Sequence, residues 1–138
     1  DASMFFFPYF ISEGIECSSL PILKAESAVD GFGLTERLLR SGGFGIVVLD
    51  LYAEKNQKRY SLGRLHNIAQ RHDGLVLCLT RTRPGQPSLD PMVFVHVQVS
   101  VQSIGRNRNR LSAVIQKDKT GSPGRCLEWI YESPPGLC

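Results

Sequence analysis

Apolar and polar positions follow two different rhythms along this chain. In GFGIVVLDL, Gly43 to Leu51, four consecutive apolar residues, Ile46 to Leu49, are closed by one carboxylate, Asp50. An unbroken apolar run of that length suits a strand buried on both faces, as in a parallel sheet covered by helices. The β-branched Ile46, Val47 and Val48 favour extended backbone over helix. LVLCLT, Leu75 to Thr80, is a second run of the same kind. Between the two, Leu62, Leu65, Ile68 and Ala69 recur at helical spacing and predict a helix over Leu62 to Arg71, with Ser61 as its cap. Asp73-Gly74 then turns the chain. Upstream, Ser27 to Arg40 reads as another helix: Ala28, Phe32, Thr35 and Leu39 share a face with Leu38 beside it, and Ser27 is the candidate N-cap. Gly31 and Gly33 each weaken that helix by about 1 kcal/mol. Gly42-Gly43 stops it. Strand, helix and strand joined by short turns predict a right-handed parallel unit.

After residue 91 the period becomes two. In MVFVHVQVSV, Met92 to Val101, Phe94, His96, Gln98 and Ser100 stand opposite a row of valines, the pattern of a half-buried strand. Gly105 to Asn109 is a basic hairpin tip, and Leu111 to Gln116 returns as the partner strand. Lys117 to Arg125 reads as a second basic turn and Cys126 to Tyr131 as a last strand, with Pro134-Pro135-Gly136 ending the domain. Pro8 to Gly14 reads as a short helical segment, Pro21 to Lys24 as a short strand, and residues 52–60 and 81–91 as loops. The expected architecture is α/β: parallel strands with helices, followed by an antiparallel β meander, in a single domain over residues 1–138.

Composition narrows the function classes. A chain of 138 residues, 42% hydrophobic and 21% charged, is globular and large enough for one core. A net charge of +3 permits an acidic partner without pointing to nucleic acid by itself. Eight of the 16 Lys and Arg residues lie from Arg81 onward: Arg81, Arg83, Arg106, Arg108, Arg110, Lys117, Lys119 and Arg125. Cys17, Cys78, Cys126 and Cys138 have no metal-ligand spacing, which suggests a reducing compartment, the cytoplasm, rather than a disulfide framework. No stretch approaches the roughly 18 apolar residues of a membrane span, so no membrane contact is expected. MFFFPYFI, Met4 to Ile11, is broken by Pro8 and lacks the basic start of a signal peptide. The chain opens on Asp1 rather than Met, so either the chain was trimmed or numbering is expected to begin inside a longer protein.

Candidate chemistry gathers at strand ends and basic turns. Asp50 falls at the carboxyl end of its strand, where open α/β sheets place ligands, and Thr80-Arg81 leaves the second strand at the same edge. Lys117 and Lys119 are separated by one residue, so extended backbone points both the same way, an arrangement suited to a phosphate. Arg81, Arg83, Arg106, Arg108 and Arg110 are candidates for contact with DNA or a partner, although the loop after Arg81 holds no aromatic for base stacking. Solvated positions account for these arginines and lysines as well. His66, His72 and His96 read as surface or helix-end residues. There is no G-x-x-x-x-G-K-S/T phosphate loop.

The order of these segments resembles the ATPase core of the RecA recombinase superfamily over nearly the whole chain. DAS followed by Pro8 looks like that family's DAE-x-x-x-x-P strand end, and RSGGFGIVVLD its helix end and acidic strand. LVLCLTRTR resembles the strand ending in the nucleotide sensor. MVFVHVQVSVQSIG resembles the strand leading into the meander, and KDKTGSP the K-N-K turn whose lysines reach the nucleotide of a neighbouring protomer. Leu38 to Leu51 and Lys117 to Arg125 resemble more closely still the ImuA proteins, RecA-like accessory proteins of bacterial mutagenic repair. SulA-like cell-division inhibitors are related and lack the phosphate loop too. The resemblance implies a role in the DNA-damage (SOS) response and translesion synthesis, with RecA, RecA-like protomers or mutagenic polymerase accessory proteins as partners. It also implies departures: Ser3 stands at the place of the catalytic Glu and Arg81 at that of the sensor Gln. Neither is a general base for water at neutral pH. Asp50, Thr80 and Arg81 are then a nucleotide and magnesium remnant, and Lys117 and Lys119 contacts to a partner's phosphate. The chain alone is expected to carry no cofactor, with ATP and magnesium reserved for the case that a phosphate loop lies upstream. The alternatives are an active RecA-like ATPase whose phosphate loop is missing from this chain, and a SulA-like inhibitor.

Overall fold

A computed structural model describes residues 14–51, 62–81, 90–121 and 123–133. The chain divides into two compact units, residues 1–92 and 93–138.

The first unit runs from a short 3-10 turn, Cys17–Ser19, to helix α1 (Ala28–Ser41), strand β1 (Ile46–Asp50), helix α2 (Leu62–Arg71) and strand β2 (Leu75–Leu79). Helix α1 starts where Ser27 is extended and its Oγ accepts the Asp30 N–H at 3.2 Å. It ends where Gly42 takes φ 67° and donates its N–H to the Leu39 carbonyl at 3.1 Å, a left-handed cap that suits glycine. All four stripe residues of α2, Leu62, Leu65, Ile68 and Ala69, are buried. An ion pair at 2.8 Å between Arg64 of α2 and Glu36 of α1 joins the helices on one side of the sheet.

Strands β1 and β2 are parallel, with Ile46 opposite Leu75 and Asp50 opposite Leu79. The helices cover only one face of this pair. Val47 and Leu49 are buried beneath them, whereas Ile46 is 63% and Leu75 57% exposed, with Val48, Leu77 and Leu79 on the same open face. The expectation of strands buried on both faces is therefore corrected. An apolar run specifies extended backbone, but the elements that cover its faces lie elsewhere in the chain.

Two close approaches fix the helix layer. A Cβ on Gly31 would stand 3.0 Å from Leu49 Cδ1, and one on Gly74 2.8 Å from Leu39 Cδ2. Leu39 is fully enclosed. Of the face expected on α1, Thr35 and Leu39 are buried, and the third buried position is Gly31. Pro21 to Lys24, expected as a strand, has no regular structure. Its Ile22 and Leu23 are exposed, and Pro21 has no N–H to give a ladder. The helical segment expected over Pro8 to Gly14 and the cap expected at Ser61 lie outside the described residues.

The second unit is an antiparallel three-stranded sheet in the order β3 (Val95–Gly105), β4 (Arg108–Asp118), β5 (Cys126–Glu132). The β3–β4 hairpin turns at Arg106-Asn107, where Asn107 takes φ 61°. Register pairs Val97 with Ile115, Val99 with Ala113, and Val101 with Leu111, while Leu111 meets Trp129 and Ala113 meets Leu127. From Val97 to Val101 one face is therefore apolar, and it ends at Ser103 opposite Asn109. Its valines are exposed, Val99 at 56%, and Ala113 is its buried centre. The half-buried pattern read from the alternation holds in register but not in cover. Among the described residues no helix is long and apolar enough to cross a membrane.

Candidate functional site

At the carboxyl end of the parallel pair, β1 and β2 bring three of the expected residues to one edge. Asp50 lies in register with Leu79, and the Leu51 N–H donates to the Leu79 carbonyl at 2.8 Å, so Thr80 and Arg81 leave β2 beside Asp50. Asp50 and Arg81 are exposed and Thr80 is half-buried. For magnesium this edge offers one carboxylate and one neutral hydroxyl. Magnesium needs six hard oxygens and relies on phosphates or water for those the protein withholds. The described residues of this edge thus supply too few ligands to hold the ion by themselves. Ser3 and Arg83 lie outside the described residues.

The second grouping is at the far end of β3 and β4. The register is His96 opposite Lys117, then Val97 opposite Ile115, which leaves Gln116 as an extra residue on β4. That bulge keeps Gln116 and Lys117 together on the polar face. Gln116 Nε2 donates to Gln98 Oε1 at 3.1 Å across the strands. Lys117 was expected in a turn and instead belongs to β4; the turn begins at Lys119. Lys119 is fixed from two sides. Its N–H donates to the Phe94 carbonyl at 3.1 Å, and its ammonium stands 4.6 Å from the centroid of the Phe94 ring. A cation over an aromatic face is attracted by the ring quadrupole, so the lysine is held rather than freely solvated. Gly121 at φ 112° and Gly124 at φ 85° complete the turn into β5.

The arginines do not gather with the lysines. Arg106 is at the hairpin tip, Arg108 pairs in register with Glu132, and Arg110 lies between Gln102 and Ile130, all at the opposite end of the meander. Sequence reasoning placed His96 and Phe94 on one face but gave neither a role. The signal was present: both share the alternation of MVFVHVQV with the position that meets Lys117.

Cys78 faces the helices and is half-buried, and burial pushes its thiol up from the ordinary 9.0, as suits a small hydrophobe rather than a nucleophile. An open groove lies along α1, lined among others by Lys24, Glu26, Val29, Asp30 and Arg37. Its charges of both signs give it no chemical preference.

No model of a known protein family matches the chain, and no curated protein is similar to it.

Proposed function

We propose that this chain is a RecA-like, non-hydrolysing accessory protein of the cytoplasmic DNA-damage response and translesion synthesis, closest in kind to ImuA, that works by protein–protein contact. It presents Lys117 and Lys119 to a phosphate carried by a RecA or RecA-like protomer; a mutagenic polymerase accessory protein is the further partner class. The observation that supports this best is the order of parts. A parallel β1–β2 pair ends on Asp50 and Thr80-Arg81, and an antiparallel hairpin after it carries Lys117 and a braced Lys119. That order is what the resemblance calls for. The chain brings no cofactor of its own. Direct DNA contact is the weaker reading, because Arg106, Arg108 and Arg110 stand at the other end of the sheet from the lysines.

One observation favours a second reading. Asp50 stays at the ligand edge of β1, as an active ATPase with an upstream phosphate loop and bound magnesium–ATP would require. A titration of the labelled chain with RecA, empty or loaded with a non-hydrolysable ATP analogue, tests the first reading. It expects binding that needs the analogue. Equal binding to empty and loaded RecA, or none, contradicts it.

A further inference from the structure

We propose that the outer edge of β3 pairs with the same edge of a second copy of this chain, so that two three-stranded sheets join antiparallel about a two-fold axis at Ser100. The inference goes beyond the reading above and does not depend on it. It stands on where the backbone of β3 points. Ile115 of β4 donates its N–H to the Arg125 carbonyl at 2.9 Å and accepts the Gly124 N–H on its own carbonyl at 2.8 Å, so both its polar groups face β5. In an antiparallel ladder, hydrogen-bonded and non-hydrogen-bonded pairs alternate, and a residue bonded on one side is unbonded on the other. Val97, the partner of Ile115, therefore turns its N–H and C=O away from β4. Val99, Val101 and Ser103 follow by alternation, up to the irregularity between Ser103 and Gly105. β3 is an edge strand, and among the described residues these outward groups have no backbone partner.

Nothing on this edge resists pairing. From Val93 to Gly105 there is no Lys, Arg, Asp, Glu or Pro, the residues with which sheets blunt their edges. The other edge of the sheet is guarded, because β5 carries Glu128 and Glu132. Charge thus selects the occupant. A second β3 meets no like charge, whereas two β5 edges set carboxylates against one another, so pairing closes at two copies. The side chains agree. An axis at Ser100 sets Val99 opposite Val101 and Val97 opposite Ser103, so every outward N–H and C=O from Val97 to Ser103 meets its complement. On the polar face Gln98 stands opposite Gln102 and Ser100 opposite its own copy, groups that both donate and accept. A slip of one residue would oppose outward groups to inward ones and valines to polar residues. A slip of two would carry Ser103 past the regular ladder to Val95, beyond the register shift at His96/Val97.

The test is sedimentation velocity of the full chain at about 10–500 µM, a range suited to a contact of small area. A monomer–dimer equilibrium is expected, with no larger species. Ser100 is exposed, so Ser100→Lys sets two ammonium groups against each other at the axis without touching the core. It is expected to weaken association at least about tenfold and to keep the circular dichroism of the parent. Ser100→Cys tests the register. Residues opposite each other in a non-hydrogen-bonded pair stand about 4.5 Å apart at Cα, within reach of a disulfide. Mild oxidation is expected to link the two copies through position 100, as read by mass spectrometry of the peptides. Gln102→Cys, which faces Gln98, is expected to give no such link through position 102. A chain that stays monomeric throughout overturns the proposal and leaves the edge to a strand of another protein. A dimer that Ser100→Lys leaves unchanged, or a link through position 102 and not 100, overturns it as well.

Discussion

Gly31 lies on Leu49: a Cβ at the former would stand 3.0 Å from Cδ1 of the latter. Gly33, two residues on, has nothing within 4 Å. Replacing a helical glycine by alanine gains about 0.5–1 kcal/mol when space allows. Gly33→Ala is therefore expected to raise stability by that amount, and Gly31→Ala to gain less or to lose. Urea unfolding of the two variants against the parent checks this, and an equal gain for both would contradict the packing of α1 on β1.

The cover of the second unit's sheet can be read in the same way. Val99 is 56% exposed, so Val99→Thr is expected to change stability by under about 0.5 kcal/mol. Leu39, fully enclosed, is expected to cost about 2–5 kcal/mol as Leu39→Ala. A loss above 1 kcal/mol for Val99→Thr, on the order of a buried methyl group, would mean that the valine face is covered.

Much of the fold was legible because periodicity reports local backbone. The four α2 residues at helical spacing are all buried, and Ser27 caps α1 as its hydroxyl and position suggest. The strand registers follow the apolar runs. Cover was not legible. Ile46 and Leu75 look like core residues from sequence, yet their face is open, because burial depends on elements that a local window does not contain. Gly31 was read as a weak point of the helix, whereas its missing side chain is what lets α1 approach β1. At the candidate site, the spacing of Lys117 and Lys119 was legible. The bulge that moves Lys117 into a strand opposite His96 was not, since one extra residue leaves no mark on a polar stretch.

Thiol chemistry offers an independent check on the first sheet. Burial raises the Cys78 thiol above the ordinary 9.0, and Cys126 is exposed. In a chain carrying Cys17→Ser and Cys138→Ser, Cys126 is expected to react with a neutral alkylating reagent well before Cys78. The sign for stability follows from the same shift. The unfolded chain releases the Cys78 proton at lower pH than the folded one, so stability is full below about pH 9 and falls as pH rises past it. Mass spectrometry of a reaction time course shows the order, and faster modification of Cys78 would contradict its orientation toward the helices.

The purified chain is expected to release no phosphate from ATP with magnesium. Asp50 and Thr80 supply too few ligands for the ion, and the sequence holds no phosphate loop. A colorimetric phosphate assay decides this. Turnover that Asp50→Asn abolishes would establish the ATPase reading instead.

The central claim is that Lys117 and Lys119 serve a phosphate on a RecA-like partner, and one titration tests it most directly. Changing both to Ala removes the Lys119–Phe94 contact, at a cost to folding of about 0.5–1 kcal/mol, and leaves the sheet intact by circular dichroism. Charge-assisted contacts are worth roughly 1.5–3 kcal/mol each, so affinity for RecA loaded with a non-hydrolysable nucleotide is expected to fall well over tenfold. Arg106→Ala with Arg108→Ala, at the other end of the sheet, is expected to matter less. Equal binding of loaded RecA by the parent and the lysine-free chain would contradict the claim and leave the two lysines without a part in partner binding.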